Sequence, residues 1–355
     1  YVQQIINEVD VIAHFISGGE DSRTLCGLIS NDIKKDAFIF LDDMNREGQV
    51  AKKAAEAYGS AFHLSTRSKL HYLDILSNCT ALVGKGSQYT HAHTFGFHKS
   101  CHLAHYPAVL GGLFADALLK GSRIKKIRGS SRFPFIPQVK KVSHSKAEPM
   151  QKVFKQDVLE ELRRRRQSHL QYVKSFRKKS AQEWFELWPS SMNASIPNIY
   201  VNRRLFRSYE PFMSNDVVKI SASVPQKWKL NRKLFHKAAK PLLEPTKWLF
   251  HGDGRLPYFP WYINSCIQFW VWCYRQIGTR LGMMKGNQGS WGEWNVVINS
   301  PEWEQAINKY LDGSKVLNDV LVEKDVKELI RGKYLNRTQK INLLQSMYSN
   351  SDNVT

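Results

Sequence analysis

The chain has 355 residues, 42% of them hydrophobic and 23% charged, so it is neither a disordered polymer nor too short to bury a core. Lys and Arg number 52 against 31 Asp and Glu, a formal charge of +21 that draws polyanions without specifying which. The five scattered cysteines include no Cys-x-x-Cys pair, and no apolar run reaches the ~18 residues of a membrane span, which excludes a disulfide scaffold, a cysteine zinc site and a transmembrane helix.

The first third alternates as βαβ units do. Residues 10–16 read as an apolar strand ending in Ser17-Gly18-Gly19, and residues 24–29 as a helix. Residues 37–41 read as a buried parallel strand, followed by an Ala-rich helix over 48–58 that Gly59 stops. Residues 61–64 and 107–110 are further strands, the last ending in Gly111-Gly112. This predicts an α/β core over 1–121, a Rossmann-like parallel sheet with its functional loops at the strand C-termini. Residues 122–149, rich in Pro, Ser and basic side chains, read as a linker. Residues 150–355 read as mainly helical. Val153, Phe154, Val158, Leu159 and Leu162 would share one helical face, with Arg163 to Arg166 either solvated or facing an anionic partner.

Ser17-Gly18-Gly19-Glu20-Asp21-Ser22 follows a strand and opens a helix. Adjacent glycines let the backbone turn tightly and approach a ligand. Hydroxyls and N–H groups at the helix N-terminus then face an anion, and Asp21 stands where a carboxylate can hold Mg²⁺ against phosphate. The Gly-Lys-Ser/Thr ending of a Walker loop is missing. The same hexapeptide also reads as an ordinary capped turn.

The hexapeptide resembles the pyrophosphate loop (PP-loop) of the N-type ATP pyrophosphatases, which adenylate a carbonyl oxygen and release pyrophosphate. Three further segments resemble the synthetase domain of the asparagine synthetase family, which includes the β-lactam synthetases and lasso-peptide cyclases. They are residues 37–63, with Val50-Ala51 through Gly59-Ser60; residues 109–121, Val-Leu-Gly-Gly-Leu-Phe-Ala-Asp-Ala-Leu-Leu-Lys-Gly; and Tyr209-Glu210-Pro211-Phe212-Met213-Ser214, running on to Pro225, Lys233 and Lys237. The resemblance implies an adenine nucleotide alpha-hydrolase fold, with ATP and Mg²⁺ as cofactors. It places the pyrophosphate on Ser17, Gly18, Gly19, Asp21 and Ser22, and Mg²⁺ between Asp21 and Asp116. Ile16 and Phe40 would line the adenosine, and Gly111 and Gly112 would meet the nucleotide through their backbone. The implied reaction joins a substrate carboxylate to ammonia or an amine.

Leu113 and Ala117 replace family acids, Phe114 a glycine and Ser214 an Asp. Asp253 stands where the family has a phosphate-steadying lysine, which leaves Arg255 or Lys247 to supply that charge. Only 16 residues precede the loop, so glutamine-derived ammonia would need a separate or upstream glutaminase domain. A tRNA-modifying relative of the same loop type and a non-catalytic binding protein on a degenerate synthetase domain remain alternatives. His98, His102 and His105 would share a helical face, with His91 and His93 nearby, as a zinc site, a pocket lining or plain packing. Arg123, Lys125, Lys126, Arg128, Arg132, Lys140, Lys141 and Lys146 would form a solvated loop, a lid over ATP or a contact for an acidic partner. Trp248, Trp261, Trp270, Trp272, Trp291 and Trp294 read as helix packing. With neither a signal peptide nor paired cysteines, the chain reads as cytoplasmic.

Overall fold

The computed structural model describes residues 1–84, 86–124, 153–252, 254–280, 289–322 and 325–351. Two compact units emerge. One takes the described parts of Tyr1–Arg67, Gly96–Val142 and Asn202–Gly292; the other takes those of Ser68–Phe95, Ser143–Val201 and Glu293–Thr355.

The first unit is built on a five-stranded sheet: β1 (Val11–Phe15), β2 (Lys34–Leu41), β3 (Ala61–Thr66), β4 (Val109–Leu110) and β5 (Ser208–Tyr209). All neighbouring strands are parallel, in the order β3-β2-β1-β4-β5. β1, apart from His14, and residues 37–41 of β2 are apolar because both their faces are covered, while β2 opens on Lys34, Lys35 and Asp36. On one face Ile16, Ala37, Ile39 and Leu41 pack against Ala51, Ala54 and Ala55 of the Arg46–Ala57 helix. Alanines let this helix lie close to the sheet, and the Asn45 side chain caps it by accepting from the Gly48 N–H. The opposite face holds Ala13, Phe38, Leu103, Val109 and Phe206. The α/β fold with its parallel sheet is as the sequence predicts.

The chain runs from β1 outward through β2 to β3, then returns to place β4 on the other side of β1. The reversal makes the β1/β4 boundary the point where loops from adjacent strand ends diverge and leave a crevice. The Ser17–Ser22 loop and the Gly111–Asp116 segment both leave from that boundary.

In the second unit, Gln345 ties the Arg337–Ser349 helix to the Ser87–Tyr89 turn, accepting from the Tyr89 N–H at 3.2 Å and donating to the Ser87 carbonyl at 2.7 Å. Asn336 and Gln339 close a reciprocal capping box at the start of that helix. Among the described residues, no helix is long and apolar enough to cross a membrane.

Several local expectations are corrected. The Gln156–Phe176 helix begins after Val153 and Phe154, and Phe154 instead bridges to Leu321; Leu162 is exposed. The histidine face does not form. Phe97–Ser100 and Leu103–His105 are separate turns, broken at His102, whose φ of 50° is left-handed. Trp248, Trp270, Trp272 and Trp291 are exposed rather than buried; the Trp261–Arg280 helix turns Tyr262, Trp270, Trp272, Tyr274 and Ile277 outward. Arg164 and Arg165 both pair with Glu161 on an exposed helical face. Asp253 and all of the basic stretch except Arg123 lie outside the described residues.

Candidate active site

The Ser17–Ser22 loop is held by its own hydroxyls. The Ser17 N–H donates to Ser22 Oγ at 3.1 Å, and the Gly19 N–H donates to Ser17 Oγ at 3.0 Å. Gly19 then caps the Glu20–Gly27 helix without a side-chain bond, so the first turn presents backbone donors. The Gly18 N–H donates to Glu47 Oε1 at 2.8 Å, so a carboxylate already rests on this anion-binding turn. A Cβ on Gly18 would come within 3.1 Å of the same carboxylate. Beneath the loop lies Arg23, fully buried. Its guanidinium donates to the carbonyls of Gly18 at 2.9 Å, Leu249 at 2.7 Å and Phe250 at 2.8 Å, fastening the loop to the segment that leads to Arg255. Burial lowers its pKa to about 10, so it remains a cation at neutral pH.

The structure brings Gly112 to the loop: a Cβ there would lie 3.6 Å from the Ser22 nitrogen and from Asp21 Cβ. Gly111 lies against the Glu210 carboxylate, which leaves no room for a side chain. The Leu113 N–H donates to Glu210 Oε2 at 2.9 Å, while Glu210 Oε1 is buried with no hydrogen-bond partner among the described residues. Burial raises the Glu210 carboxyl to about 7, against the opposing pull of the Leu113 N–H and Arg203. Phe114, where the sequence resemblance leads one to expect a glycine, adopts a φ of 73° at the start of the Ala115–Leu118 turn. Such a left-handed residue costs roughly 1–2 kcal/mol where it is not glycine.

Asp21 and Asp116, expected from the sequence to share a metal, do come together, and Glu20 joins them. The carboxylate oxygens of all three lie within 4.8 Å of one another. Among them sits the Lys120 ammonium, 3.0 Å from Glu20 Oε1, 2.7 Å from Asp116 Oδ1 and in contact with Asp21 Oδ1. Arg232 pairs with Glu20 and lies 3.7 Å from Asp116; Arg255 lies 3.7 Å from Glu20. Burial pushes the Asp21 carboxyl up to about 6, Lys120 opposes this, and Asp116 and Glu20 add to it. Burial pulls the Lys120 ammonium down, but Asp21, Glu20 and Asp116 together hold it above its ordinary value, so it stays charged. Three carboxylates are the hard oxygen donors that Mg²⁺ takes. Lys120 fills the space among them, so the set as folded does not fit a metal ion without moving that side chain.

Beside this cluster opens a cavity of about 230 Å³. Glu20, Asp116, Lys120, Arg232, His236 and Arg255 line its polar side, with Phe259 and Trp261 on the apolar side. Arg255 therefore stands at the cluster. Lys247 bonds Glu244 at 2.8 Å, is partly exposed and does not line this cavity. Ile16 turns its side chain into the core, leaving its backbone at the strand end. Phe40 is partly exposed and stacks on Phe97, with ring centroids 4.4 Å apart. Glu20, Lys120, Arg232, Glu47 and Glu210 were not singled out in the sequence. For Lys120 a signal exists, since it stands one helical turn, i to i+4, after Asp116.

A parallel sheet with a glycine-serine turn at its reversal point defines an α/β protein of the nucleotide-binding kind. The family model of asparagine synthase matches residues 3–250, more than half of the chain. The chain belongs to that family, whose members are ATP-dependent amide-forming ligases. No curated protein matches it.

Proposed function

We propose that this chain activates a substrate carboxylate with ATP and passes the acyl group to ammonia or an amine. The observation that supports this best is the placement of the Ser17–Ser22 loop and Gly112 together at the β1/β4 reversal. On this reading the triphosphate lies across the Glu20–Gly27 helix N-terminus, and its β- and γ-phosphates take the Gly18 and Gly19 N–H groups and the Ser17 and Ser22 hydroxyls. Glu47 gives up the Gly18 N–H, and Ser17 Oγ the Gly19 N–H, as they enter. The backbone of Ile16 and the ring of Phe40 face the adenosine, and Gly111 and Gly112 allow its close approach.

The acceptor carboxylate enters the cavity beside Arg255 and Arg232, with its carbon skeleton against Phe259 and Trp261. One carboxylate oxygen attacks the α-phosphorus, and the bond to the bridging oxygen breaks to release pyrophosphate. The nitrogen nucleophile then attacks the acyl carbon of the acyl-adenylate and expels AMP. The chain supplies alignment and positive charge for this sequence, from Arg255, Arg232 and Lys120. The geometry favours Arg255 over Lys247 for that role. Ammonia would come from a separate or upstream glutaminase domain, and an amine from a second substrate.

The test is pyrophosphate release across a panel of carboxylates, each with ammonium or an amine. AMP and pyrophosphate in equal amounts are expected. ADP and orthophosphate as the primary products would overturn the adenylation. Nucleotide binding without turnover on any carboxylate would favour a binding protein, and tRNA-dependent turnover with a steep salt dependence would favour a tRNA-modifying enzyme.

A further inference from the structure

Among the described residues, the group of three side chains with the spacing and chemistry of a cation seat is Glu20, Asp21 and Asp116. Its centre is taken by a side chain of the same chain. Lys120 Nζ makes three carboxylate contacts at once, and the side chain is only 3% exposed. The Phe235 ring lies 4.7 Å from the ammonium and closes another side. The ammonium donates to Glu20 Oε1 and stands against Asp21 and Asp116 as ion pairs. Among the described residues, three carboxylates, Glu20, Asp21 and Asp116, face three cations, Lys120, Arg232 and Arg255, and their sum is zero. A divalent ion added beside Lys120 would leave two surplus positive charges; one that took its place would leave one and would have to drive a buried ammonium from its partners.

We propose that Lys120 is a built-in replacement for the divalent cation at the Asp21–Asp116 seat, so that this chain carries the charge there covalently and takes up no metal until Lys120 is removed. The seat's occupancy stands apart from the reaction; only the use of the Lys120 charge on ATP phosphates rests on the ligase reading. Any Mg²⁺ that arrives with ATP then binds the nucleotide elsewhere, not through this pair of aspartates. Lys120 stands four residues after Asp116, just past the end of the Ala115–Leu118 turn, so acid and counter-ion come from one short stretch of chain.

The experiment titrates nucleotide-free protein with Mn²⁺ and follows the free ion by electron paramagnetic resonance. The parent chain is expected to take up no Mn²⁺ at this seat at sub-millimolar concentration. Lys120→Ala is expected to gain one site at least tenfold tighter than any uptake by the parent, and to lose it when Asp116→Asn is added. The melting temperature of Lys120→Ala should rise with Mg²⁺ while that of the parent stays fixed. Should Lys120→Ala fail to fold, Lys120→Met keeps the side-chain volume and takes its place. Parent chain that binds one Mn²⁺, lost on Asp116→Asn, overturns the proposal. So does a folded Lys120 variant that gains no site. Because nucleotide is absent throughout, a failure of the ligase reading leaves these outcomes unchanged.

Discussion

At the end of β5, Glu210 carries a carboxyl that burial holds at about 7, against 4.5 for an ordinary glutamate. The folded chain therefore binds this proton more tightly than the unfolded chain does. Stability from this group is complete below pH 4.5, declines as pH rises, and is lost above pH 7. The full difference is about 3 kcal/mol, an upper bound for one carboxyl. Glu210→Gln keeps an acceptor for the Leu113 N–H and removes the titration. Urea midpoints at pH 5 and pH 8 should differ less in this variant than in the parent, with the gain at pH 8. An unchanged difference would show that Glu210 titrates normally. Asp21, raised to about 6, also titrates in this range, so some pH dependence should survive the substitution.

The same scale shows which site residues the sequence makes legible. Ser17 to Ser22 and Asp116 stand out because their chemistry is written in contiguous residues with glycines at the turns. Glu20 and Lys120 bond across 100 positions, and Glu20 and Arg232 across 212. No local pattern marks such pairs; they exist only after β4 has returned beside β1. The raised pKa of Glu210 is also a product of burial, and a glutamate between Tyr209 and Pro211 gives no sign of it.

At the scale of elements, the strands with long apolar runs were readable, and the two-residue strand β5 was not. β5 holds its place by pairing Val109 with Ser208 and Leu110 with Tyr209, and nothing in its own composition demands a strand. The histidine turns failed for the opposite reason. Spacing alone suggested one helical face, and the left-handed His102 breaks it. Gly27, at the end of the loop-bearing helix, shows how closely the elements of this unit approach. A Cβ there would lie 2.6 Å from the Leu242 carbonyl oxygen and 2.9 Å from Leu242 Cβ. The obstacle includes backbone, which cannot rotate away. Gly27→Ala should cost about 1–3 kcal/mol of stability, as overpacking does. It should also weaken ATP binding by shifting the helix that presents the loop. Denaturant unfolding and calorimetric titration with ATP check both, and a variant with parental values in both would mean that the Leu242 turn yields freely.

For the whole molecule, the question is where the nitrogen comes from. Hydrolysing glutamine needs a nucleophile activated by a base, normally a thiolate, with an oxyanion hole nearby. Cys26 lies nearest to such an arrangement, with its Sγ 3.5 Å from His14 Nδ1. Burial forbids its use, for it raises the Cys26 thiol to about 12 and, aided by Lys35, lowers His14 to about 4, so that neither group ionises at neutral pH. Cys79 is likewise buried and raised to about 12, and burial raises Cys101 as well. Cys266 and Cys273 stand two turns apart on the Trp261–Arg280 helix, whose nearby positions carry Phe269, Trp270, Trp272 and Tyr274. The chain given glutamine and MgATP should therefore release no glutamate above background, whereas ammonium or an amine should support turnover. Following glutamate by a coupled dehydrogenase assay decides it. Sustained release abolished by one substitution, such as Cys266→Ala or Cys101→Ala, would place a glutaminase centre in this chain and overturn the prediction.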